Sequence, residues 1–200
     1  LDLSGGQETT VSDLASDQTF DTRVLVTTSE SNLLDNLDTE EVYGTINGGT
    51  QSGSGDFVFV SPGTYQESSL TTTDNDLLST GSADETVVTN TEQGNTILTI
   101  GNDIQVDGFR FDSQVDSTGT DVIVNDGSAV LSNATFTGGS DYESRTAIDV
   151  QNSDEVRDTS VSGYGVGVTT SAASTISVDV TGTGAASVGI VVTGGTPLIA

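Results

Sequence analysis

From Ile97 onward the sequence repeats one pattern loosely, and this repeat limits the possible folds more than any other feature. Each unit has a short alternating apolar strand, a small polar turn, a second alternating strand and a corner rich in Gly, Ser and Thr. The units read ILTIGNDIQVDGFRFDS, VIVNDGSAVLSNATFTG, IDVQNSDEVRDTSVSG, VGVTTSAASTISVDVTG and VGIVVTGGTPLIA. A period of roughly 20 to 50 residues is typical of solenoids, and short strands bounded by turn residues indicate the β kind.

A single coil of this length cannot bury its apolar side chains, so the coils must stack. Strands of successive coils then pair in parallel about 4.8 Å apart, and equivalent inward residues form columns. The spacing predicts one column, with the members Ile100, Val124, Val150, Val168 and Ile190. It also predicts amide stacking at one corner, among Asn102, Asn125 and Asn152. An antiparallel β-sandwich or a propeller is the alternative, but the constant order of strand, turn, strand and corner favours the solenoid.

The first 55 residues differ from the rest. Residues 22–27 (TRVLVT) predict a strand, and residues 31–46 (SNLLDNLDTEEVYGTI) place apolar residues near helical spacing after Ser31, a suitable N-cap. Gly48 and Gly49 are expected to end that helix. Since an open β-helix end exposes apolar side chains and unpaired backbone, residues 20–55 are interpreted as an N-terminal cap. Residues 1–19 are interpreted as a polar arm and residues 56–200 as the coils, continuing or meeting a partner beyond residue 200.

The stretch DFVFVSPGTYQE, residues 56–67, joins an apolar strand to a Pro-Gly turn and a carboxylate. With Gly55 before it, it resembles the first coil of the pectin-lyase-like superfamily of right-handed parallel β-helices. LLSTGSADETVVTN and ILTIGNDIQVDGFRF resemble later coils of that superfamily, and the resemblance covers about residues 22–195. It implies an all-β, right-handed parallel β-helix with a strand-helix cap. It does not specify an activity, because the superfamily includes sugar lyases, esterases, viral tailspikes and adhesins.

The same stretch also has a physical interpretation. Alternation predicts that one of the pairs Val58/Val60 and Phe57/Phe59 faces the core while the other meets the cap. Pro62-Gly63 predicts a type II turn with positive φ at the glycine. Tyr65 is expected to pack its ring on the cap with a solvated hydroxyl, and Glu67 to accept backbone hydrogen bonds. The motif is therefore interpreted as structural rather than catalytic.

The charge of the chain limits its partners and its surroundings. It contains 30 Asp and Glu residues against 4 Lys and Arg, for a formal net charge of −26. The basic residues are all arginines: Arg23, Arg110, Arg145 and Arg157. Such a surface repels nucleic acid, whose binding needs clustered cations. Acidic residues without lysine resemble the surfaces of proteins from salt-adapted haloarchaea and their viruses. An extracellular setting in concentrated salt is therefore expected, since a Debye length of about 3 Å at 1 M screens self-repulsion.

The missing residue types exclude several kinds of active site. Without His or Cys, the chain has no Ser-His-Asp triad, thiol nucleophile or zinc site of His and Cys ligands. The resemblance leaves sugar hydrolysis by paired carboxylates, calcium-assisted elimination with an Arg or Lys base, and esterase chemistry with paired Asp, Arg and Gln. The weak catalytic candidates are Asp103, Asp107, Arg110 and Arg157, and Asp107, Ser132 and Arg157 are predicted to stack at one outward position. A solvated, salt-tolerant face is the preferred interpretation of these residues.

Two further kinds of site are weakly indicated. Carboxylates in the loops at Asp74, Asp76 and Asp126 supply the hard oxygen ligands that calcium prefers, so Ca²⁺ is the cofactor expected if there is one. Neither Asp74-Asn75-Asp76 nor Asn125-Asp126-Gly127 has the spacing of an EF-hand. Asn133-Ala134-Thr135 is a glycosylation sequon, which makes Asn133 a candidate acceptor.

The expected function is structural and adhesive: a spike, fibre or turret on the virion surface of a haloarchaeal virus, engaged in host attachment. Expected partners are two further copies in a homotrimer, other virion or surface proteins, and a host glycan or surface-layer protein, with no nucleic acid and no membrane insertion. The alternatives are a polysaccharide-acting β-helix enzyme (lyase, hydrolase or esterase) and a haloarchaeal cell-surface or filament protein. An enzyme is expected to show Asp, Arg and Gln clustered on adjacent coils, and a spike a smooth Ser/Thr face.

Overall fold

The computed structural model describes residues 23–26, 41–51, 57–90, 96–114, 118–125, 127–139, 144–181 and 188–200. Its elements are, in chain order, β1 (Arg23–Val26), β2 (Glu41–Tyr43), α1 (Ile46–Gln51), β3 (Phe57–Val60), β4 (Gly63–Gln66), β5 (Leu70–Thr72), β6 (Asp76–Ser79), β7 (Thr86–Asn90), β8 (Leu98–Ile100), β9 (Gln105–Asp107), β10 (Arg110–Ser113), β11 (Gly119–Val124), β12 (Val130–Ser132), β13 (Thr135–Thr137), β14 (Arg145–Val150), β15 (Glu155–Ser162), β16 (Val166–Thr170), β17 (Thr175–Thr181), β18 (Val188–Val192) and β19 (Leu198–Ile199). Within this part of the chain, no helix is long and apolar enough to cross a membrane.

The strands form three faces of a solenoid, because each coil places one strand segment on each face. The first face contains β3, β6, β9 and β12, and the second contains β4, β7, β10 and β13. The long strands β15 and β17 run across both faces and join them into one 13-stranded sheet. A 6-stranded sheet of β5, β8, β11, β14, β16 and β18 forms the third face. The predicted right-handed parallel β-helix is confirmed.

Columns of stacked apolar side chains fill the core between these faces. On the first face the register stacks Val58, Leu77, Val106, Leu131, Val156 and Ile176, which are all buried. On the second face Phe111 and Phe136 stack with ring centroids 4.9 Å apart, and Tyr164 meets Phe136 edge-on. Each coil thus stacks its inward residues on those of its neighbours, as the repeat predicts.

The predicted column on the third face is partly wrong. Ile100, Val124 and Val150 stack as expected, but Thr170 rather than Val168 continues their column. Val168 lies two residues away, over Ile148. Both registers point Val168 inward, because side chains two residues apart share a face, so the apolar pattern could not distinguish them. The predicted amide stacking holds for Asn152, whose Nδ2 donates to Asn125 Oδ1 at 3.1 Å, whereas Asn102 donates to Asp103.

The N-terminal end is closed by a helix, but not the predicted one. Residues 31–40 lie outside the described residues, Glu41–Tyr43 is a strand, and the helix covers Ile46–Gln51. Gly48 and Gly49 were expected to end the helix, but they lie inside it. The helix starts just before them, where the Thr45 hydroxyl accepts the Gly48 N–H at 3.1 Å and caps the first turn. The predicted arm, residues 1–19, also lies outside the described residues.

The stretch from residue 56 to residue 67 confirms two expectations and corrects two. Val58 and Val60 are buried in the core, while the rings of Phe57 and Phe59 stack on the opposite side of β3 at 6.2 Å. Glu67 accepts the Ile46 N–H at 2.8 Å, as expected of a structural carboxylate. Tyr65, however, is buried, and its hydroxyl donates to the Ser61 carbonyl at 2.8 Å rather than to solvent.

The second correction concerns the corner itself. Gly63 is not among the residues with positive φ, so the predicted type II turn is wrong. Gly63 begins β4, and its N–H donates to the Glu85 carbonyl of the next coil at 2.9 Å. Stacking on the neighbouring coil therefore decides the backbone conformation at this corner.

Candidate functional site

A groove of about 880 Å³ runs along the outside of the corner between the first and second faces. Residues from successive coils line it, because that corner recurs in each coil at the same place. The lining polar side chains are carboxylates, an amide and hydroxyls: Asp107, Asp158, Asp179, Asn133, Ser82, Thr135, Thr159, Ser160 and Ser177. No arginine contributes to this lining within the described residues.

The floor of the groove is a column of residues in the left-handed region. Gly108 and Asn133 follow the stacked ends of β9 and β12, and Asp158 holds the equivalent place inside β15. Their φ values are 82°, 49° and 49°. Only Gly, Asn and Asp adopt this region readily, which explains these residue types at a sharp corner. A Cβ on Gly108 would also lie 3.1 Å from Ser79 Cβ. The backbone conformation therefore explains the residue types in this column, and the Asn133 and Asp158 side chains point outward from it.

A local irregularity places Asp158 in the groove. The pairing of β15 with β17 shifts between Val156 and Thr159, so Arg157 and Asp158 together oppose one residue of β17. Such a bulge redirects side chains and bends the strand. The bend is what carries β15 from the first face to the second.

Asp107 is the sequence-predicted candidate that lies in this groove. Its Oδ1 accepts hydrogen bonds from Ser132 Oγ at 2.6 Å and from Asn133 Nδ2 at 2.7 Å. The register pairs Asp107 with Ser132 and Ser132 with Arg157, which confirms the predicted stacking of these three positions. Asn133, the candidate glycosylation site, is exposed but uses its amide nitrogen in this contact.

The other catalytic candidates do not converge on Asp107. Arg110 pairs with Asp112 on its own strand at 3.0 Å, and Arg157 pairs with Glu155 on its own strand at 3.9 Å. Asp103 is an exposed turn residue with φ of 57°, bonded to Asn102. Within the described residues, no ion pair links either arginine to Asp103 or Asp107. Each of these two arginines therefore pairs with a carboxylate of its own strand and not with another catalytic candidate.

The candidate calcium ligands Asp74 and Asp76 make different contacts. Asp74 is exposed and accepts the Thr73 hydroxyl at 3.0 Å, whereas Asp76 accepts the Gln105 N–H at 2.7 Å and so joins two coils. Asp126 lies outside the described residues. In the part of the chain that the structure describes, no group of three or more Asp or Glu side chains is arranged to hold a metal ion.

The outer row of the third face tests the esterase alternative. The register aligns Thr71, Thr99, Ile123, Asp149, Thr169 and Val191. Asp149 accepts hydrogen bonds from the Thr169 hydroxyl at 2.5 Å and from Gln151 Nε2 at 2.7 Å. Its neighbours in the row, Ile123 and Thr169, are not carboxylates. The paired aspartates that this chemistry needs on adjacent coils are therefore missing from this row.

Sequence reasoning missed the most heavily buried polar cluster, which consists of Asp121, Arg145 and Tyr164. Arg145 and Asp121 are fully buried, and Arg145 Nε donates to Asp121 Oδ1 at 2.7 Å. Arg145 Nη2 donates to the same oxygen, and the Tyr164 hydroxyl donates to Asp121 Oδ2. Burial raises the pKa of the Asp121 carboxyl, while the hydrogen bonds from Arg145 and Tyr164 oppose that rise. The available signal was the separation of 24 residues between Asp121 and Arg145, which is close to the offset of 26 residues between β11 and β14 of successive coils.

Comparisons with known proteins agree with the fold. No protein-family model and no curated protein sequence matches the chain. Among solved structures, the pectin methylesterase PemA from Erwinia chrysanthemi is similar, with a TM-score of 0.55 and 12% sequence identity. The match covers 84% of this chain and 57% of that protein. At this identity the similarity establishes a shared parallel β-helix and nothing about activity.

Proposed function

We propose that this chain is a structural and adhesive surface protein, of the kind carried by a haloarchaeal virus, which binds glycans in its groove. The observation that carries the proposal is the composition of the groove: hydroxyls, an amide and carboxylates, without a lining arginine among the described residues. Hydroxyls and carboxylates are suited to hydrogen bonding with polyhydroxylated ligands. Arg110 and Arg157, the arginine candidates for a catalytic base or clamp, are paired along their own strands instead.

The charge of the chain narrows the glycan class. Three aspartates line the groove of a protein with a net charge of −26. A uronic-acid carboxylate bound in the groove would lie in contact with these aspartates, at a range that even the Debye length of about 3 Å in molar salt screens incompletely, so neutral or aminated glycans are the favoured ligands. An extracellular location at high salt, and assembly into a homotrimer on the virion, belong to the same proposal.

Binding to immobilised polysaccharides in molar KCl tests the proposal. Neutral, aminated and uronic-acid polymers are compared, with the chain labelled at a surface position away from the groove. Ser160→Trp blocks the groove, since Ser160 is exposed and lines it, while Thr71→Trp places the same side chain on the third face. We expect Ser160→Trp to abolish binding and Thr71→Trp to leave it unchanged. Equal binding by both variants, or release of product by the wild type, would contradict an adhesive groove.

A polysaccharide-acting enzyme is the second candidate, and one observation favours it. Asp107, Asp158 and Asp179 line one groove, and glycoside hydrolysis uses two carboxylates facing a common site. The similar solved structure is a pectin methylesterase, which adds ester hydrolysis to the reactions worth assaying. New reducing ends and released methanol are the readouts. If the chain is such an enzyme, Asp107→Asn or Asp158→Asn abolishes turnover, and Asp74→Asn, an exposed carboxylate outside the groove, does not.

A further inference from the structure

The groove between the first and second faces has a direction, because its lining repeats along the axis of the solenoid. Four successive coils contribute to it, through residues 107–108, 133–135, 158–160 and 177–179. Neighbouring coils are about 4.8 Å apart, so these four levels span roughly 14 Å along the axis. The volume of about 880 Å³ is near the upper end of the roughly 300–1,000 Å³ typical of ligand sites. The groove is therefore an elongated site, parallel to the axis, with room for several sugar units.

A longer version of the same corner bounds the groove at one end. Two residues separate β9 from β10 and β12 from β13, whereas the six residues 80–85, here called the end loop, separate β6 from β7. Gly81, Ser82 and Ala83 of the end loop line the groove. The equivalent corner one coil earlier, residues 61–62, belongs to the described chain and is not part of the lining. The groove therefore stops at the end loop on this side.

Hydrogen bonds within the end loop and at its base hold it in one shape. At the base, the hydroxyl oxygens of Ser79 and Thr86 lie 2.6 Å apart. Within the loop, Glu85 Oε2 accepts the Ser82 N–H and the Ser82 hydroxyl, both at 2.9 Å. A loop that is already ordered loses little conformational entropy when a ligand contacts it. The end loop is therefore a fixed boundary against which a ligand can bind.

We infer that the groove binds a linear glycan along the solenoid axis, with one sugar unit per coil and one chain end against the end loop. The inference rests on the proposed function, since it specifies how a neutral or aminated glycan lies in the same groove. The rise of about 4.8 Å per coil is close to the length of one sugar unit in an extended chain. The register stacks Thr135, Ser160 and Asp179 on one side of the groove, so successive units meet a hydroxyl or a carboxylate at equivalent places.

Titration calorimetry of the full chain with an oligomer series in molar KCl tests the orientation. The probes are β-1,4-linked oligomers of glucose, N-acetylglucosamine and glucosamine, with two to six units. Affinity for the oligomers that bind is expected to rise at least about tenfold from two to four units and less than about threefold beyond five. A glycan lying across the corner would contact one or two coils and gain nothing beyond two units. That result, or no binding of any oligomer, overturns the inference, while the proposed function fails only if the immobilised polysaccharides do not bind either.

A bulky fluorescent label on one or the other end of the four-unit oligomer tests the contact with the end loop in the wild-type protein. The label at the end that meets the loop is expected to weaken binding at least about tenfold, and the label at the other end less than about threefold. Equal effects of the two labels would overturn the placement of a chain end at the loop.

Two substitutions repeat this test on the protein. Ala83→Trp fills the groove at the end loop and is expected to weaken the binding of two-unit and four-unit oligomers alike. Ser177→Trp fills the groove at the fourth coil and is expected to weaken only the binding of the four-unit oligomer. Thr71→Trp on the third face is the matched control, and circular dichroism confirms that each variant is folded. Equal losses of two-unit binding in Ala83→Trp and Ser177→Trp would contradict a glycan that starts at the end loop.

Discussion

Two groups of charged side chains in this protein use the same residue types in opposite surroundings. Inside, Arg145 and Asp121 are fully buried and share their hydrogen bonds with Tyr164. Outside, Arg157 pairs with Glu155 at 3.9 Å, and both side chains remain more than a third exposed. A buried pair is costly to break because the remaining charge has no solvent, whereas an exposed pair contributes little. Acidic residues therefore occur in two settings here: Asp121 links two coils through Arg145, and the many surface carboxylates give the protein its negative charge.

The largest expected effect comes from removing the buried arginine. Arg145→Met leaves Asp121 buried without its cation and should lower the free energy of unfolding by about 3–5 kcal/mol. Arg157→Met is the matched control and should cost less than about 1 kcal/mol, because its partner stays solvated. Denaturant unfolding in molar salt measures both. Equal losses of unfolding free energy in the two variants would mean that the buried Arg145 pair is no more important for stability than the exposed Arg157 pair.

A smaller effect is expected from the third member of the buried cluster. Tyr164→Phe removes the hydroxyl that donates to Asp121 Oδ2 and should cost about 1–3 kcal/mol. In an Asp121→Asn background the same substitution should cost at least about 0.5 kcal/mol less, because the two groups act as one network. Additive losses in this double-mutant cycle would show that the Tyr164 hydroxyl contributes to stability independently of Asp121.

At low salt, replacing two different aspartates by asparagine should change the stability of the fold in opposite directions. Asp121→Asn removes the carboxylate that Arg145 needs and should destabilise the fold at every salt concentration. Asp179→Asn removes one exposed charge from a chain of −26 and should stabilise it by at most about 0.5 kcal/mol. That gain should disappear in molar KCl, where screening is complete within a few ångströms. Thermal unfolding at both salt concentrations distinguishes the two behaviours.

The smallest expected effects are pH-dependent and again differ in sign. Burial raises the pKa of Glu67 above 4.5, although the backbone N–H groups of Ile46 and Asn47 oppose the rise. Hydrogen bonds from the Ser82 backbone and hydroxyl lower the pKa of Glu85 below 4.5. Relative to Glu67→Gln, the wild type should lose stability as pH rises from 4.5 through the raised pKa. Relative to Glu85→Gln, it should lose stability as pH falls from 4.5 through the lowered pKa.

Unfolding curves between pH 3 and pH 7 at constant salt give both differences. Each of the two variants is the control for the other, since each removes one glutamate from the same acidic surface. Curves that shift in the same direction for both variants would contradict the contrast between the half-buried and the exposed carboxylate.

The sequence predicted the coils well because each repeat has the same order of strand, turn, strand and corner, with apolar residues that must be buried by stacking. The Asp107–Ser132–Arg157 alignment and the Asn125–Asn152 contact follow from position within a repeat and are confirmed. Predictions failed where a neighbouring coil decides the local structure, as at Gly63 and Thr170. The helix was misplaced because its start depends on Glu67, 21 residues from Ile46 in the sequence.

The candidate site was less predictable than the fold. Spacing indicated which residues share a corner, and it placed Asp107 there, but it could not show that Arg110 would pair with Asp112. Arg145 carries no local signal that distinguishes it from the other arginines, since the residues that surround it come from separate coils. Whether a charge is buried depends on the assembled stack of coils, so it cannot be predicted from the sequence of one repeat.

The helix-closed N-terminal end has a kinetic consequence. In a linear stack each coil is stabilised by its neighbours, so unfolding starts most easily where one neighbour is missing and nothing covers the coil. At the N-terminal end α1 packs against β1, β2, β3 and β5, and Ile46 is fully buried there. The coil beneath α1 therefore opens only after this helix has left it. Amide protons of β3 and β5 should exchange no earlier than those of α1, which hydrogen-exchange measurements can check.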